Sequence, residues 1–565
     1  MTDQVSNGGG SGGGPSYSRS SSLLATTSTV ITPAFSDHAT SNGIVRTTEG
    51  WLELFLTTPE KFSFSQWTEH INNSSISYKT TRTTFDYISL HYIPDTVAPN
   101  LVALVGLLCL AQAWYLTNLY GTLYPTSCTW LAVVSIVFFF ITTNLHESHA
   151  TRTRQRTALG DLFKYSCDAA ATIFLSILTT YCVLTTVSDD PEGAESSTSI
   201  EIQWYVVQIS QLVLYLKHLS AFHRHAGLRY YALLGPGEVL LTCIGLLVLR
   251  ATVGLDWLLQ LYESVLYQLI LQFTTKNPEE TSSGLVAKDA VVYTYYSIYL
   301  VAVIKTLLLR EPHGWSRFGL SASLLMRVIP ALLFQVVVPF TQVGVADVIC
   351  DGLFMAVLTS DVMLAKMAGR EVHPWVVTMS LAAVLSHSTI LTLCLVYYIA
   401  VFADLCSYMN MPLLTTSRNV YCDGVYDLCH IGHKRLFQNA LQYGNRLFVG
   451  VVGDADAQNY KRPPIMSHKE RCDEVMACKA VTKVIPNAPC FGLTREFLDR
   501  HQIHVVAYGE EYLERYPDPK DDPYYRVPRE MGIARPLPRT QGLSTSDLIR
   551  RIQQAAPADS KKSPT

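Results

Sequence analysis

Between about residue 100 and residue 405 the chain repeats one pattern: long apolar runs, near the ~20 residues needed to cross a bilayer's hydrocarbon core, separated by short polar connectors. The clearest runs are 101–120, 128–143, 169–187, 202–222, 232–255, 291–309, 320–340, 345–364 and 376–405, with 256–273 as a further span or an interfacial helix. Helices of a large soluble core carry a polar face, and these runs mostly carry none. The pattern predicts a multispan α-helical membrane domain of about ten helices.

After Ser417 the period changes. Short β-branched or aromatic runs at 419–422, 446–452, 482–485 and 504–507 alternate with helical patterns at 433–442, 469–478 and 494–501. That alternation predicts an α/β Rossmann-like domain with a parallel, doubly wound sheet, binding nucleotide at the carboxyl ends of its strands. The expected boundaries are a disordered Gly/Ser/Thr-rich tail over 1–45 and an amphipathic juxtamembrane region over 46–99. The transmembrane domain follows over 100–405, then a linker over 406–416, the α/β domain over 417–555 and a polar tail over 556–565.

Composition narrows the function. Hydrophobic residues make up 48% of the chain and charged ones 16%, and the net charge of -3 gives no basic field, which argues against a nucleic-acid partner. The thirteen cysteines show no close-paired spacing for zinc or redox work and read as reduced thiols of a protein facing the cytosol. The tail lacks the apolar core and basic flank of a secretory signal. Arg152, Arg154, Arg156 and Lys164 form a basic loop between the second and third spans, expected on the cytosolic side.

Two motifs carry chemistry. The run Val420-Tyr421-Cys422-Asp423-Gly424-Val425-Tyr426-Asp427-Leu428-Cys429-His430-Ile431-Gly432-His433 passes from strand through turn into helix. Its glycines permit close backbone approach, and the helix start offers unpaired N–H groups to a phosphate. The second, Arg539-Thr540-Gln541-Gly542-Leu543-Ser544-Thr545-Ser546, precedes a helical pattern at 547–552. Its arginine can fork onto phosphate oxygens, and its hydroxyls can cap the helix and bind phosphate.

With these motifs, residues 418–552 resemble the cytidylyltransferases that make CDP-choline and CDP-ethanolamine. The resemblance implies attack by the phosphate of phosphocholine or phosphoethanolamine on the α-phosphorus of CTP, with Mg2+ carried by the CTP phosphates, so the protein mainly orients two polyanions and offsets charge. It assigns His430, His433, Lys461 and Arg539 to catalysis. Asp423, Gly424, Val425, Tyr426, Gly432, Arg471, Thr540, Gly542, Leu543, Ser544 and Thr545 are assigned to the nucleotide. The aminoalcohol-phosphate pocket is expected at Lys461, Cys490, Tyr508, Gly509, Glu510 and Tyr512. Cys490 stands where phosphocholine enzymes have a tryptophan, and Tyr508-Gly509 replaces their His-Asp pair. Gly509 is common in phosphoethanolamine enzymes, yet those usually carry two tandem catalytic domains, so phosphocholine is the reading and phosphoethanolamine the alternative.

The membrane half, with Val97-Ala98-Pro99-Asn100-Leu101 and Leu159-Gly160-Asp161-Leu162-Phe163, resembles the choline and ethanolamine phosphotransferases, whose DxxDGxxAR and GxxxDxxxD signature carries four aspartates. Anchored at Gly160, those aspartates fall on Thr143, His146, Lys164 and Asp168, with Ala150 and Gly160 kept, Glu147 at the DG glycine and Thr151 at the arginine. Losing three carboxylates removes the hard oxygen ligands a divalent pair needs, so the domain is expected to be a degenerate phosphotransferase in which Asp168 pairs with Lys164 one turn away. Both resembled families imply a homodimer. The whole reads as a membrane-anchored cytidylyltransferase of phospholipid synthesis, in the endoplasmic reticulum or a related endomembrane with its catalytic domain cytosolic. Membrane lipid is the expected partner. The alternatives are a bifunctional enzyme that also transfers the phosphoaminoalcohol to diacylglycerol, and a transporter with a nucleotide-sensing domain.

Overall fold

The computed structural model describes residues 44–45, 55–67, 72–184, 195–222, 229–253 without 231 and 234, 283–308, 324, 344–370 and 387–555 without 461, 541 and 543. The expected disorder of the first 43 residues and the last ten therefore lies outside the described residues, as do the predicted runs 256–273 and 320–340 apart from Leu324.

The amino-terminal part comprises β1 (Ile44–Val45), α1 (Thr58–Ser65), β2 (Asn72–Asn73) and α2 (Ile76–Tyr92). The apolar runs form α3 (Pro99–Tyr120), α4 (Pro125–Arg152), α5 (Ala158–Leu184), α6 (Glu195–Phe222), α7 (Pro236–Thr252), α8 (Ser283–Leu307), α9 (Val345–Ala368) and α10 (His387–Met409), with β3 (Arg229–Tyr230) between α6 and α7. Six of them, α3, α4, α5, α8, α9 and α10, are long and apolar enough to cross a membrane. The run at 202–222 does form a helix, but α6 turns polar groups inward: Gln208 and Gln211 are buried, and the Gln211 amide donates to the Ala169 carbonyl at 2.8 Å.

The helical core centres on α9, whose buried acids all have partners. Asp351 accepts from the Trp204 indole at 2.7 Å, and Asp361 accepts from Arg370 at 2.6 Å and from the Tyr397 hydroxyl at 2.7 Å. Lys61 of α1 reaches Asp404 of α10 at 2.8 Å. A charge taken out of water is tolerable only with such partners.

The carboxyl-terminal domain runs β4 (Asn419–Gly424), α11 (Ile431–Ala440), β5 (Arg446–Val452), α12 (Asp454–Tyr460), α13 (His468–Ala477), β6 (Lys483–Ala488), α14 (Arg495–Arg500), β7 (Val505–Gly509), α15 (Glu510–Arg515), α16 (Arg526–Glu530), β8 (Ala534–Leu537) and α17 (Thr545–Ala555). Five strands are parallel in the order β6-β5-β4-β7-β8. The order reverses direction between β4 and β7, which puts a crevice at their carboxyl ends. A sixth strand comes from the other end of the chain: β1 pairs antiparallel with β6, Ile44 opposite Val484. The tail expected over 1–45 thus ends before Ile44, because backbone pairing along a sheet edge does not need an apolar pattern.

The strands' amino ends stand on the helical region. His504 accepts the Asn419 N–H on Nδ1 at 3.0 Å, which leaves the proton of the neutral ring on Nε2 to donate to the Thr153 carbonyl at 2.7 Å. Burial holds its pKa below the usual histidine value, partly offset by the Thr153 bond, which keeps that tautomer in place. Arg154, in the basic loop after α4, donates to the Ile503 carbonyl at 2.8 Å and pairs with Asp499 at 2.6 Å. Gln502 donates to the Arg156 carbonyl, the Asn100 amide to the Leu413 carbonyl at 2.9 Å, and Arg446 to the Met409 carbonyl at 3.3 Å.

The Arg154→Ala protein should lose about 1–2 kcal/mol of this docking, because one charged donor serves both a carbonyl and a half-exposed carboxylate. Hydrogen exchange at the amides of Asn419 and Val505 should accelerate accordingly, and unchanged protection there would show that Arg154 does not hold the two parts together.

Candidate active site

The crevice at the β4–β7 switch is a cavity of about 380 Å3. Along one wall, β4 ends in Asp423 and Gly424, and the chain then turns sharply into α11 with Tyr426 and Leu428 both at φ 52°. A Cβ at Gly424 would meet the Tyr426 ring at 3.0 Å, so any side chain there would push that ring out of its place in the turn. His430 is the N-cap of α11, and its Nδ1 accepts the Gly432 N–H at 3.1 Å. The proton of the neutral ring therefore sits on Nε2 as a donor. Burial lowers the His430 pKa, which favours that neutral form. His433, one turn on, stacks its ring 3.9 Å from that of His430, and Tyr426 packs edge-on to it at 5.2 Å.

Facing them, the second motif supplies Arg539, Thr540, Ser544 and Thr545 to the same cavity. Ser544 caps α17, accepting the Asp547 N–H at 3.1 Å. The Thr545 hydroxyl donates to the Asp427 carbonyl at 3.3 Å, tying the two motifs together. The Asp427 carboxylate, buried, accepts the N–H groups of Ile465 and Met466 at 3.0 Å and pairs with Arg462 at 3.1 Å. One side chain thus joins the His turn to the segment after α12.

At the far end the cavity is aromatic and acidic. Tyr508 stacks on Tyr525 at 4.9 Å, and Tyr512 meets Tyr525 edge-on at 5.2 Å. The Tyr525 hydroxyl donates to Asp423 at 2.7 Å. Burial raises the Asp423 pKa to about 6, and the Tyr525 bond opposes the rise. Glu511 lines the same end, with its Oε2 buried and without a hydrogen-bond partner among the described residues.

Most residues singled out from the sequence converge here: Asp423, Gly424, Val425, Tyr426, His430, Gly432, His433, Tyr508, Gly509, Tyr512, Arg539, Thr540, Ser544 and Thr545 all line the cavity. Arg471, expected at the nucleotide, does not. It is fully buried behind the turn, donating to the Val425 carbonyl at 2.6 Å and to Asp454 at 2.7 Å, so it braces the wall. Cys490 and Glu510, expected in the aminoalcohol pocket, also stay off the lining; Glu510 accepts the Arg539 N–H at 3.4 Å instead. Gly542 is exposed in the left-handed region, φ 74°, where it turns the chain toward α17. Lys461 and Leu543 lie outside the described residues. Tyr525 and Arg462 were not foreseen; the run Tyr524-Tyr525 after two aspartates was the available signal for the first.

In the helical region, Thr143, His146, Ala150 and Lys164 line a smaller polar cavity of about 70 Å3 together with Glu147 and Arg156. Lys164 pairs with Asp168 at 2.7 Å, at the i,i+4 spacing expected. Gly160 lies beside Asn100, where an added Cβ would come within 3.3 Å of Oδ1.

Removing the Asp427 carboxylate would strand two backbone donors and a guanidinium. Asp427→Ala should therefore lower the stability of the domain by about 2–4 kcal/mol, read as a lower midpoint in denaturant and faster exchange at Ile465 and Met466; a midpoint equal to the parent protein's would remove Asp427 from this role.

Residues 421–551 match the family described as cytidylyltransferase-like. Over 135 residues the chain is 41% identical to choline-phosphate cytidylyltransferase A of Homo sapiens, covering 24% of this chain and 36% of that one. It is 36% identical over 135 residues to ethanolamine-phosphate cytidylyltransferase of Dictyostelium discoideum, 24% of this chain and 37% of that one. It is 37% identical over 145 residues to choline-phosphate cytidylyltransferase of Saccharomyces cerevisiae, 25% of this chain and 33% of that one. The chain spans about a third of the length of these relatives. A solved structure, the lipopolysaccharide core biosynthesis protein from Thermoplasma volcanium GSS1, is similar at 21% identity over 23% of this chain and 100% of that one, with a TM-score of 0.19, too slight to carry weight. The carboxyl-terminal region is a cytidylyltransferase-like domain.

Proposed function

We propose that the protein is a membrane-anchored CTP:phosphocholine cytidylyltransferase, converting CTP and phosphocholine to CDP-choline and pyrophosphate. The observation that carries this reading is the pair of stacked rings, His430 and His433, at the head of α11 across one cavity from Arg539 and Thr540. CTP enters with Mg2+ on its phosphates. The Nε2–H of His430, the start of α11 and the Arg539 guanidinium offer donors to the phosphate chain, and the positive end of α11 with the guanidinium offsets the charge that develops as the phosphocholine oxygen attacks the α-phosphorus and pyrophosphate leaves. The protein needs no covalent intermediate; it aligns nucleophile and leaving group.

Phosphocholine is favoured over phosphoethanolamine by the aromatic end of the cavity. A quaternary ammonium cannot donate hydrogen bonds and is held by π faces and nearby negative charge, which Tyr508, Tyr512 and Tyr525 beside Asp423 and Glu511 supply. Those rings take the part of the tryptophan absent at Cys490.

The helical region anchors the domain in an endomembrane, with the basic loop and the α/β domain on the cytosolic side. That loop and domain share one side is supported by the Arg154 and His504 contacts, which hold them together. We read the region as a phosphotransferase fold in contact with membrane lipid that has lost its chemistry, since Thr143, His146 and Lys164 occupy three of the four aspartate positions and Lys164 neutralises Asp168 at the fourth. A homodimer sharing one axis between its two parts completes the proposal.

The test is an assay of the purified full chain with labelled CTP and either phosphoaminoalcohol, then with diacylglycerol and Mg2+ or Mn2+ added. The expected result is CDP-choline formed faster than CDP-ethanolamine and no phospholipid; phospholipid that disappears in Asp168→Asn would make the protein bifunctional, and no CDP-alcohol from either substrate would overturn the proposal. Turnover in His433→Ala should fall on the order of 100-fold, the usual scale for losing one charge-stabilising donor.

Asp423 predicts a pH dependence. Its raised pKa leaves it neutral below about pH 6 and charged above, so attraction for the choline head is present at high pH and fades as pH falls through that value. At pH 8, Asp423→Asn should raise KM for phosphocholine about tenfold, equivalent to about 1.4 kcal/mol, and the ratio of variant to parent KM should shrink toward one below pH 6. The substrate phosphate titrates equally for both proteins and cancels in that ratio; a ratio constant across pH would reject the role.

A further inference from the structure

The geometry points to a disulfide-forming pair, Cys429 and Cys478, as an oxidative modification site that acts on the head of α11. Their sulfurs lie 3.8 Å apart, and the two residues are 9% and 8% exposed. Cys429 sits between Leu428, in the left-handed region, and His430, the cap of α11; Cys478 is the C-cap of α13, where its S–H donates to the Glu474 carbonyl at 3.4 Å. No step of the proposed reaction uses either thiol.

A disulfide brings its sulfurs to about 2.05 Å, so the pair must close by less than about 2 Å, a movement within side-chain rotation and small backbone adjustment. With hydrogen peroxide as oxidant the atoms balance. One thiolate attacks a peroxide oxygen, giving a sulfenic acid and water; the second sulfur displaces the sulfenic oxygen, forming the S–S bond and a second water. Two electrons leave the sulfurs and reduce the peroxide.

Cys429 adjoins the site through His430, the cap of α11. Closing the bond draws Cys429 toward the end of α13 and with it the His430 backbone, loosening the Nδ1 contact to the Gly432 N–H that sets its tautomer. The contact with Cys478 and then burial hold the Cys429 thiol well above the ordinary cysteine range. The pair is therefore slow to react, stays reduced in a glutathione-buffered cytosol and closes under sustained peroxide.

The rate consequence rests on the cytidylyl transfer proposed above, while the covalent one does not. The experiment treats the purified full chain with hydrogen peroxide, digests part without reductant for mass spectrometry, and assays the remainder for transfer and for exchange at the Gly432 amide. The expected result is a Cys429–Cys478 linked peptide, faster Gly432 exchange and at least a tenfold fall in rate, all reversed by dithiothreitol. Cys478→Ser should start near the parent rate and show neither the linked peptide nor the recoverable loss, with Cys478→Ala as the second variant if the serine disturbs folding. No linked peptide at peroxide levels that oxidise the other thiols overturns the proposal, and so does a linked peptide with unchanged Gly432 exchange. A linked peptide with faster Gly432 exchange in a chain that transfers nothing even when reduced supports the pair and counts against the proposed function.

Discussion

One buried carboxylate organises the catalytic end of this protein. Asp427 takes two backbone N–H groups and a guanidinium from the segment after α12, while its own carbonyl takes the Thr545 hydroxyl. Three stretches far apart in sequence meet at that residue, and its cost of desolvation is tolerable only because all of them arrive together. The His turn is otherwise an unfavourable piece of backbone, with two non-glycine residues in the left-handed region within three positions. Tethers on both sides hold the turn in that conformation and keep the two imidazoles stacked.

The same division of labour runs through the sheet. The amino ends of β5 and β7 contact the helical region through Arg446 and His504, and the carboxyl ends of β4 and β7 carry the cavity. The chemistry therefore sits at the opposite end of the strands from the anchor. His504 links the two functions of the sheet directly, because one ring bridges the first residue of β4 and the loop after α4.

How much of this was legible follows from how local each feature is. The His turn, the capped helix α17 and the Lys164–Asp168 pair depend on residues a few positions apart, and the sequence shows them at once. The cavity also follows, since a parallel order with one reversal leaves one crevice. Arg471 was misplaced because its destination depends on Asp454, at the start of a short helix that has no apolar period to reveal it. Tyr525 is the N-cap of α16, a five-residue helix, and is tied to Asp423 across about a hundred residues. β8 reads as Ala-Arg-Pro-Leu, too short and too polar to register as a strand. Helix α6 looked like its neighbours by composition, and the burial of its Gln208 and Gln211 emerges only from the packing around it.

The edge strand β1 has a consequence for topology. Ile44 and Val45, ahead of every long helix, hydrogen-bond to β6, which follows every long helix. A lipid bilayer admits no such pairing across its thickness, so the two segments share a compartment. On the proposed membrane placement, the chain between them must then cross an even number of times. The interior contacts obey the same parity: the loop joining α4 to α5 and the Met409 end of α10 touch the α/β domain, and the Asn100 end of α3 touches the linker just before it. On that placement three helical ends from different parts of the chain face one compartment, and an even count of spans is the one compatible with a sheet whose strands come from before and after the helices.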